Sequence, residues 1–295
     1  MDRRDFLRLT FDACLLAFAE KFFSPIMAIA DSKFAPSKEE FLKLLENIKY
    51  EKLTYQVYYL NFVKIAEGYF YFRPRSEKYF VAEAFAKVEG VVNIFTGYKS
   101  QKLVSGMELS LEPVPRLLPV TFERTIVKRD RRIFNRHVFN YRNHMWRYWV
   151  FVNGKLRGKH QEEIPGNVIY ENFASIPCNL WLGVYGPIEK RRTIEFKTIP
   201  YKGVNRMSIE VASAREASKI DWFKGIKGGE FLVSMKVAES IMGIKPAEVL
   251  ATIDKSLVPI AGLIKNATPV GNIYVNLKSR EYIKTSVPAD RAKSL

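Results

Sequence analysis

The side chains that most often carry catalysis or bind metals are few in this chain. It has three histidines (His137, His144 and His160) and two cysteines (Cys14 and Cys178) among 295 residues. No histidine is spaced from another histidine or from a cysteine as in zinc or iron sites, and no Cys-x-x-Cys pair occurs. We therefore predict no metal, and we interpret Cys178 as a small buried hydrophobe rather than a nucleophile.

Motifs that bind common cofactors are also absent from the sequence. It contains no P-loop, dinucleotide fingerprint, haem attachment motif or Gly-x-Ser-x-Gly elbow. We predict no cofactor and favour a protein without enzyme activity. A pair of carboxylates can still meet in a cleft, and Glu162, Glu163 and Glu189 are available for it. A hydrolase of envelope glycans or lipids is therefore the alternative function.

A basic and aromatic run between Lys128 and Arg147 is the most suggestive local feature. Five of its arginines are candidates for the rim of an anionic-ligand site: Arg129, Arg131, Arg136, Arg142 and Arg147. Basic residues that alternate with aromatic ones can follow a polyanion while stacking on it. They are equally typical of ordinary strands with apolar residues inward and cations outward. Both interpretations stay open.

The net charge points to an anionic partner. It is +16, and residues 31–295 alone hold 43 basic and 27 acidic side chains, so the excess lies outside the first thirty residues. Such a charge attracts phospholipid heads, lipopolysaccharide or acidic polymers, although a basic surface also serves solubility. A lipid or another anionic amphiphile, a membrane surface and envelope proteins are the expected partners. Nucleic acid is not expected for an exported protein.

The first thirty residues resemble an export signal. The twin arginines Arg3 and Arg4 precede Phe6 and Leu7, as in signals of the twin-arginine route, and a moderately apolar run follows. Ala28 and Ala30 form a small-x-small cleavage site. We predict a signal peptide at residues 1–30 and a periplasmic protein, exported through the twin-arginine or the general secretory route. A cytosolic amphipathic helix is the alternative.

One helix and one hairpin have clear local signals. Ser37 and Glu40 form a capping box before Phe41, Leu44, Leu45 and Ile48, which share one face of a helix (the four apolar residues follow helical spacing). Further along, Asn153-Gly154 stands between two strand-like runs, 146–152 and 155–161. This pair is a strong type I′ turn signal and predicts a β-hairpin.

The other elements are predicted to be strands at the spacing of sandwiches and barrels. They cover residues 53–63, 65–73, 79–86, 107–111, 120–128, 193–200, 206–212, 231–237, 249–254, 258–265 and 272–278. Residues 90–99 suit a strand or a tight buried turn, and 177–185 a short helix. The predicted fold is mainly β: an antiparallel curved sheet, sandwich or partly open barrel with a short N-terminal amphipathic helix. It forms a single domain over residues 31–285, followed by a polar tail at 286–295.

Five short segments share a pattern with a known family. They are Leu53–Val57, Gly90–Gly97, Trp181–Lys190, Val258–Ile260 and Gly271–Ile273. In this order and spacing, over about residues 50–280, they resemble the bacterial domain-of-unknown-function 3108 family. The resemblance implies an exported envelope protein rich in antiparallel strands, and it brings no catalytic residues. Asn172 and Asn272 stand where the family often has acidic residues, so an activity that needs those acids would be missing.

These features together predict a periplasmic protein that binds its ligand without catalysis. We expect an apolar concavity in the curved sheet, with the five arginines on its rim, to bind an amphipathic or anionic envelope ligand such as a lipid. A structural partner in an envelope complex is a further alternative. An exposed apolar patch or a long unpaired edge strand would indicate that role.

Overall fold

Antiparallel strands and short helices make up the computed structural model of this protein. The structure describes residues 35–90, 97–166, 168–189, 192–201, 204–236, 249–268 and 271–283. The strands are β1 (Glu51–Tyr59), β2 (Val63–Pro74), β3 (Tyr79–Val88), β4 (Tyr98–Ser110), β5 (Arg116–Lys128), β6 (Arg131–Asn140), β7 (Met145–Val152), β8 (Lys155–Glu163), β9 (Thr193–Tyr201), β10 (Val204–Val211), β11 (Phe231–Lys236), β12 (Val249–Ile253), β13 (Pro259–Thr268) and β14 (Gly271–Tyr282). The helices are α1 (Lys38–Asn47), α2 (Ser175–Trp181), α3 (Ala214–Ala217) and α4 (Asp221–Lys224).

All of these strands belong to one curved antiparallel sheet that does not close into a barrel. Its order is β8-β7-β6-β5-β4-β3-β2-β1-β14-β13-β12-β11-β10-β9. Each strand therefore pairs with its sequence neighbour, except that β1 also pairs with β14 and so joins two meanders. The predicted mainly β fold is confirmed, as a curved sheet rather than a sandwich.

One face of the sheet, which we call the inner face, carries the main hydrophobic core. Alternate residues of β1–β5 point to it, as the period of a strand requires. Among the largest fully buried side chains there are Leu53, Phe72, Phe80, Leu103 and Met107. Because this core runs through both meanders, burial on the inner face holds the two halves of the sheet together.

Helix α1 confirms the predicted amphipathic helix and covers part of the inner face. The Ser37 hydroxyl accepts a hydrogen bond from the Glu40 N–H at 3.2 Å, and the Ser37 N–H donates to Glu40 Oε2 at 2.8 Å. Phe41 and Leu45 are buried in the main core. The capping box thus fixes where the helix begins, and its apolar face fixes where the helix packs.

The connection from β8 to β9 also packs on the inner face. It includes helix α2, whose residues 175–180 are all buried. The N–H of Glu171 donates to the carbonyl of Lys197 at 3.0 Å, and Glu171 forms a parallel bridge with Thr198 of β9. The connection, which we call the inner segment (residues 164–189), therefore reaches from the end of β8 to the edge strand β9.

The outer face is covered only in part by described helices. Leu232, Leu250 and Leu263 of β11–β13 form a second core there, against Ile220, Trp222 and Phe223 around α3 and α4. Strands β11–β13 are therefore buried on both faces. The half that contains β6–β8 has no described helix on its outer face.

Several predicted boundaries differ from the structure. The run 53–63 is broken after Tyr59, because Leu60 and Asn61 adopt positive φ angles of 50° and 67° that end the strand. The predicted helix at 177–185 is α2, which begins at Ser175 and ends at Trp181. Sequence reasoning missed β6 as a separate strand, the early start of β5 at Arg116, and the four-residue helices α3 and α4.

Some predictions fall outside the described residues. They concern the signal peptide at 1–30, with Arg3, Arg4, Phe6, Leu7, Ala28 and Ala30, and the polar tail at 286–295. Residues 91–96 of the predicted strand or turn at 90–99 also lie outside them, and β4 begins after these residues, at Tyr98.

Candidate binding surface on the arm

Strands β6, β7 and β8 form one end of the sheet, and we call them the arm (Arg131–Glu163). In the described part of the chain β8 pairs with β7 alone. Eight of its nine residues are exposed, so this end of the sheet is a single layer. Side chains on both faces of β8 are therefore within reach of a ligand or a surface.

Apolar side chains gather on the outer face of the arm. They are Phe134, Trp149, Phe151 and Leu156. Phe134 lies opposite Phe151 in the register, with 5.8 Å between ring centroids, and Phe151 lies opposite Leu156. Leu156 is 53% exposed, and the three aromatic side chains are partly buried. Since no described helix covers them, they form an accessible apolar surface.

Basic side chains share this face with the apolar ones. They are Arg132, Arg136, Arg147 and Lys159, and all four residues are exposed. Arg136 lies opposite Trp149, which in turn lies opposite Lys159. Residues 128–163 contain ten basic and three acidic side chains. We call the four apolar and four basic residues the outer patch.

Neighbouring polar groups hold two of these cations in place. Arg136 Nε lies 3.4 Å from Glu123 Oε1, and Arg147 Nε donates to Gln161 Oε1 at 2.9 Å. Both arginines remain exposed, so these contacts orient the guanidinium groups without removing them from solvent. The outer patch therefore presents cations beside aromatic rings.

The structure distributes the five predicted rim arginines over three places. Arg136 and Arg147 belong to the outer patch. Arg129 and Arg131 lie at the β5–β6 turn, where the N–H of Arg129 donates to the carbonyl of Gly97 at 2.6 Å. Arg142 lies in the β6–β7 turn, at the other end of β6. The five do not form one ring around the inner face.

The aromatic residues of the same run separate onto the two faces. Phe134 is on the outer face, whereas Phe139 and Trp146 are buried on the inner face. There their rings contact Tyr170 of the inner segment, at 6.1 and 6.0 Å between centroids. This is the alternation of ordinary strands.

A row of aromatic rings crosses the inner face of the arm. Phe122, His137, Tyr148 and His160 lie opposite one another on four successive strands, with centroids 5.8, 5.3 and 4.6 Å apart. Trp146 Nε1 donates to His137 Nδ1 at 3.1 Å. Burial, and next the positive charge of Arg124, lower the pKa of His137 to about 4. His137 is therefore a neutral, partly buried base at neutral pH.

A buried ion pair anchors the inner segment to β5. Arg116 Nη2 lies 2.8 Å from Glu171 Oε1, and the Glu171 residue is 2% exposed. Glu171 also accepts hydrogen bonds from Ser175 Oγ at 2.6 Å and from Asn179 Nδ2 at 3.1 Å. These donors compensate the desolvation of the carboxylate. The group is enclosed, so its role is to position the segment.

Two asparagines extend this anchor. Asn179 Oδ1 accepts from the Leu117 N–H, and Asn179 Nδ2 donates to the Leu117 carbonyl, both at 2.9 Å. Asn172 Nδ2 donates to Ser105 Oγ at 2.9 Å. The Asn179 amide thus pairs with the backbone of Leu117 as a neighbouring strand would. Without it, helix α2 would bury the N–H and carbonyl groups of Leu117 without partners.

The remaining potentially reactive side chains do not form a catalytic site in the described residues. Burial raises the pKa of the Cys178 thiol well above its usual value, so the thiolate is disfavoured. Glu162, Glu163 and Glu189 are each exposed, and the first two alternate in direction along β8. No group of three or more His, Cys, Asp or Glu side chains within the described ranges could hold a metal ion.

The described helices offer no membrane span. None of those in the ranges given above is long and apolar enough to cross a bilayer.

Sequence reasoning missed part of the outer patch and the whole buried anchor. Trp149, Phe151 and Leu156 stand in the predicted hairpin, and their period-two alternation with cations was the signal that could have placed them on one face. Glu171 and Arg116 have no comparable signal, because their partnership spans 55 residues.

Comparisons with known proteins show likeness to proteins of unknown function. No family model matches the chain, and no curated protein matches it. A beta-barrel-like protein of domain of unknown function DUF1849 from Brucella abortus is 5% identical, with a TM-score of 0.43 over 80% of this chain and 99% of that one. A hypothetical protein from Chlamydia trachomatis is 8% identical, with a TM-score of 0.32 over 84% and 95%.

A third similar structure is a DUF1329 family protein from Desulfovibrio piger. It is 8% identical, with a TM-score of 0.20 over 83% of this chain and 91% of that one. At such scores the likeness says nothing about ligand or activity. The resemblance to the domain-of-unknown-function 3108 family stays a prediction.

Proposed function

We propose that this protein is exported to the periplasm, where it binds anionic phospholipid surfaces through the outer patch without catalysing a reaction. The observation that carries the proposal is the open outer face of the arm, on which half-buried aromatic residues alternate with exposed cations. This differs from the apolar concavity expected from the sequence, because helices α1 and α2 pack on the inner face.

The chemistry of the outer patch suits the head-group region of a bilayer. Aromatic side chains place an apolar ring below the lipid phosphates and tolerate the polar boundary. Each basic residue near an anionic membrane contributes about 1 kcal/mol of attraction. The four cations of the outer patch provide electrostatic attraction to anionic lipids, and its four apolar side chains provide apolar surface to bury in the interface. Binding at a membrane interface needs both contributions.

Charge and the first thirty residues support the same proposal. The chain carries a net charge of +16, and residues 128–163 contain ten basic against three acidic residues. The export signal predicted at residues 1–30 would bring this surface to envelope membranes.

The test is binding to vesicles. We expect the protein to sediment with vesicles of phosphatidylglycerol and phosphatidylcholine, to stay in solution with phosphatidylcholine alone, and to dissociate as salt is raised. Trp149→Ser and the double variant R136Q/R147Q should each weaken binding. Tyr282→Ser is the control, since Tyr282 is 68% exposed but lies outside the outer patch on β14.

Two results would contradict the proposal. One is equal sedimentation with charged and uncharged vesicles. The other is a Trp149→Ser variant that binds as strongly as the Tyr282→Ser control while both remain folded.

A further inference from the structure

Four connections between strands lie at the same end of the sheet, which we call the turn end. Because each strand runs antiparallel to the one before it, the β1–β2, β3–β4, β5–β6 and β7–β8 connections share this end. Contacts join neighbouring connections. Lys64 Nζ lies 3.0 Å from Glu89 Oε2, and the N–H of Arg129 donates to the carbonyl of Gly97 at 2.6 Å. The turn end is therefore one edge of the molecule rather than a set of separate loops.

Exposed apolar residues are concentrated at the turn end. Six large hydrophobic residues are exposed in the described part of the chain, and four of them belong to the turn end: Leu60, Phe62, Val63 and Leu156. Phe62 is 74% exposed, the most of the six. The first three lie together at the β1–β2 turn, and Leu156 follows the β7–β8 turn. Leu156 is also a member of the outer patch, so the turn end and the outer patch meet there.

The β1–β2 turn holds Phe62 in solvent on a fixed backbone. Leu60 and Asn61 have positive φ angles of 50° and 67°, which are uncommon for a leucine. The N–H of Leu60 donates to the carbonyl of Asn272 at 3.2 Å. Leu60 also packs on Gly271, where a Cβ atom would lie 2.4 Å from Leu60 Cδ2. An unfavourable backbone conformation beside an aromatic ring left in water points to a function at this turn.

Basic side chains share the turn end with these apolar residues. Counted with two strand residues on either side, the four connections contain eight basic and two acidic side chains. The exposed cations among them are Lys87, Lys99, Arg129, Arg131, Arg132 and Lys155. A surface that combines exposed apolar residues with an excess of cations matches a partner with an anionic boundary and an apolar interior, which describes a bilayer of anionic lipids.

We propose that the turn end inserts into the surface of an anionic bilayer, with Phe62 among the acyl chains and the cations at the lipid phosphates. The phenylalanine ring is removed from water there, and the cations gain electrostatic attraction. This inference rests on the membrane binding proposed above and adds to it a second contact and an orientation. The turn end faces the bilayer, and the opposite end of the strands points away from it.

Sedimentation with phosphatidylglycerol vesicles tests the contribution of Phe62. Phe62→Ser should weaken binding of the full chain roughly ten-fold or more, because one buried aromatic side chain is lost. Tyr282→Ser is the matched control, since Tyr282 is 68% exposed but lies at the opposite end of the strands, where it is paired with Glu51 in the register. It should bind as the wild type does. Circular dichroism checks that both variants are folded.

A tryptophan at position 62 reports where the turn lies in the bilayer. In the Trp149→Phe background, Phe62→Trp should restore quenching by lipids brominated in the acyl chain. Tyr282→Trp in the same background should not restore it. Fluorescence of the Phe62→Trp variant that bromine leaves unquenched on bound vesicles would place the turn outside the bilayer and overturn the inference.

Charge at the turn end is tested separately from the apolar contact. The double variant R131Q/K155Q should weaken binding to anionic vesicles roughly ten-fold and reduce its salt dependence. The control R75Q/K78Q removes the same charge from the β2–β3 connection, where both residues are exposed at the opposite end. Equal effects of the two double variants would mean that net charge, and not the turn end, is responsible, which would contradict the proposed orientation.

The results separate this inference from the function on which it rests. If Trp149→Ser weakens vesicle binding and Phe62→Ser does not, the turn end is no contact and the inference is overturned, while the outer patch stands. If Phe62→Ser weakens binding and Trp149→Ser does not, the inference stands and the outer patch is overturned. Wild-type protein that binds no anionic vesicles overturns both.

Discussion

His137 couples the stability of the arm to pH. Its pKa is about 4 in the folded protein, against about 6.5 for an unperturbed histidine, because burial and the nearby Arg124 charge disfavour the protonated form. Between these values the unfolded chain binds more protons than the folded one. The contribution of His137 to the free energy of unfolding is therefore fully present above about pH 6.5 and is lost as the pH falls towards about 4.

We expect His137→Gln to weaken the dependence of the free energy of unfolding on pH. Glutamine can still accept from Trp146 but does not titrate, so up to about 3 kcal/mol of the stability change between pH 7 and pH 4 should disappear. Urea unfolding at several pH values measures it. His144→Asn is the control, because His144 is exposed in a turn with a positive φ of 48°, which asparagine tolerates. A profile for His137→Gln that matches the wild type would contradict the account.

The buried pair Arg116–Glu171 should be costly to break from one side. Glu171→Gln leaves Arg116 charged and enclosed, and we expect a loss of about 3 kcal/mol or more in the free energy of unfolding. The double variant R116M/E171M should recover much of it, because it removes both charges. Denaturant unfolding of the single and double variants measures the coupling.

An exposed ion pair provides the comparison. Lys224 Nζ lies 2.9 Å from Asp221 Oδ1 in α4, and both groups are exposed. Asp221→Asn should leave the free energy of unfolding almost unchanged, because solvent screens an exposed ion pair. If Glu171→Gln costs no more than Asp221→Asn, the buried pair does not anchor the inner segment.

Residue positions on the arm were only partly predictable from the sequence. The basic and aromatic composition of Lys128–Arg147 was visible, but the face of each residue depends on register, and one shifted residue reverses it. The pairing of β7 with β8 shifts between Val150 and Phe151, and that of β4 with β5 shifts between Gly106 and Met107. Local patterns do not show such irregularities.

At the scale of elements, β8 combines an unpaired edge with a high charge. In the described residues it has a neighbour on one side only, and Lys155, Arg157 and Lys159 are exposed on it. Charged side chains on an edge strand hinder pairing with another chain. We expect the triple variant K155V/R157V/K159V to form oligomers or aggregates, which size-exclusion chromatography with light scattering would detect.

The control variant also removes three positive charges, but from residues away from the edge strand. Lys219, Lys224 and Lys227 are exposed around α4, away from any strand edge, and the triple variant K219V/K224V/K227V should stay at the wild-type size. Equal aggregation of both triple variants would mean that lost solubility, and not the edge, is responsible.

The elements that could be predicted were those with a strong local sequence signal. The capping box of α1 and the Asn153-Gly154 turn both appear where the sequence indicated. Asn153 has a φ of 51°, as this turn type requires. Helices α3 and α4 span four residues each, too few for a helical period to emerge, and burial against Leu232 and Leu250 stabilises them instead.

At the scale of the whole molecule, strand order was beyond local patterns. β1 pairs with β14 across more than two hundred residues, and this pairing joins the two meanders. The number and spacing of the strands predicted the β class. Helices cover the outer face of β11–β13, whereas no described helix covers the outer face of the arm. This difference depends on the complete strand order, so local sequence patterns could not predict it.

Export is a prediction at this scale. Replacing Arg3 and Arg4 by lysines should abolish appearance in the periplasmic fraction if the twin-arginine route is used. Persistent export of this variant would indicate the general secretory route. Wild-type protein confined to the cytosol would contradict export altogether.

Quenching by lipids brominated in the acyl chain tests the membrane-binding surface most directly. The chain has four tryptophans. Of these, Trp149 lies in the outer patch, while Trp146 is buried and Trp181 and Trp222 lie elsewhere. Anionic brominated vesicles should quench the wild-type fluorescence, and Trp149→Phe should lose most of that quenching. Quenching that is absent, or equally strong in Trp149→Phe, would show that the outer patch is not the surface that meets lipid.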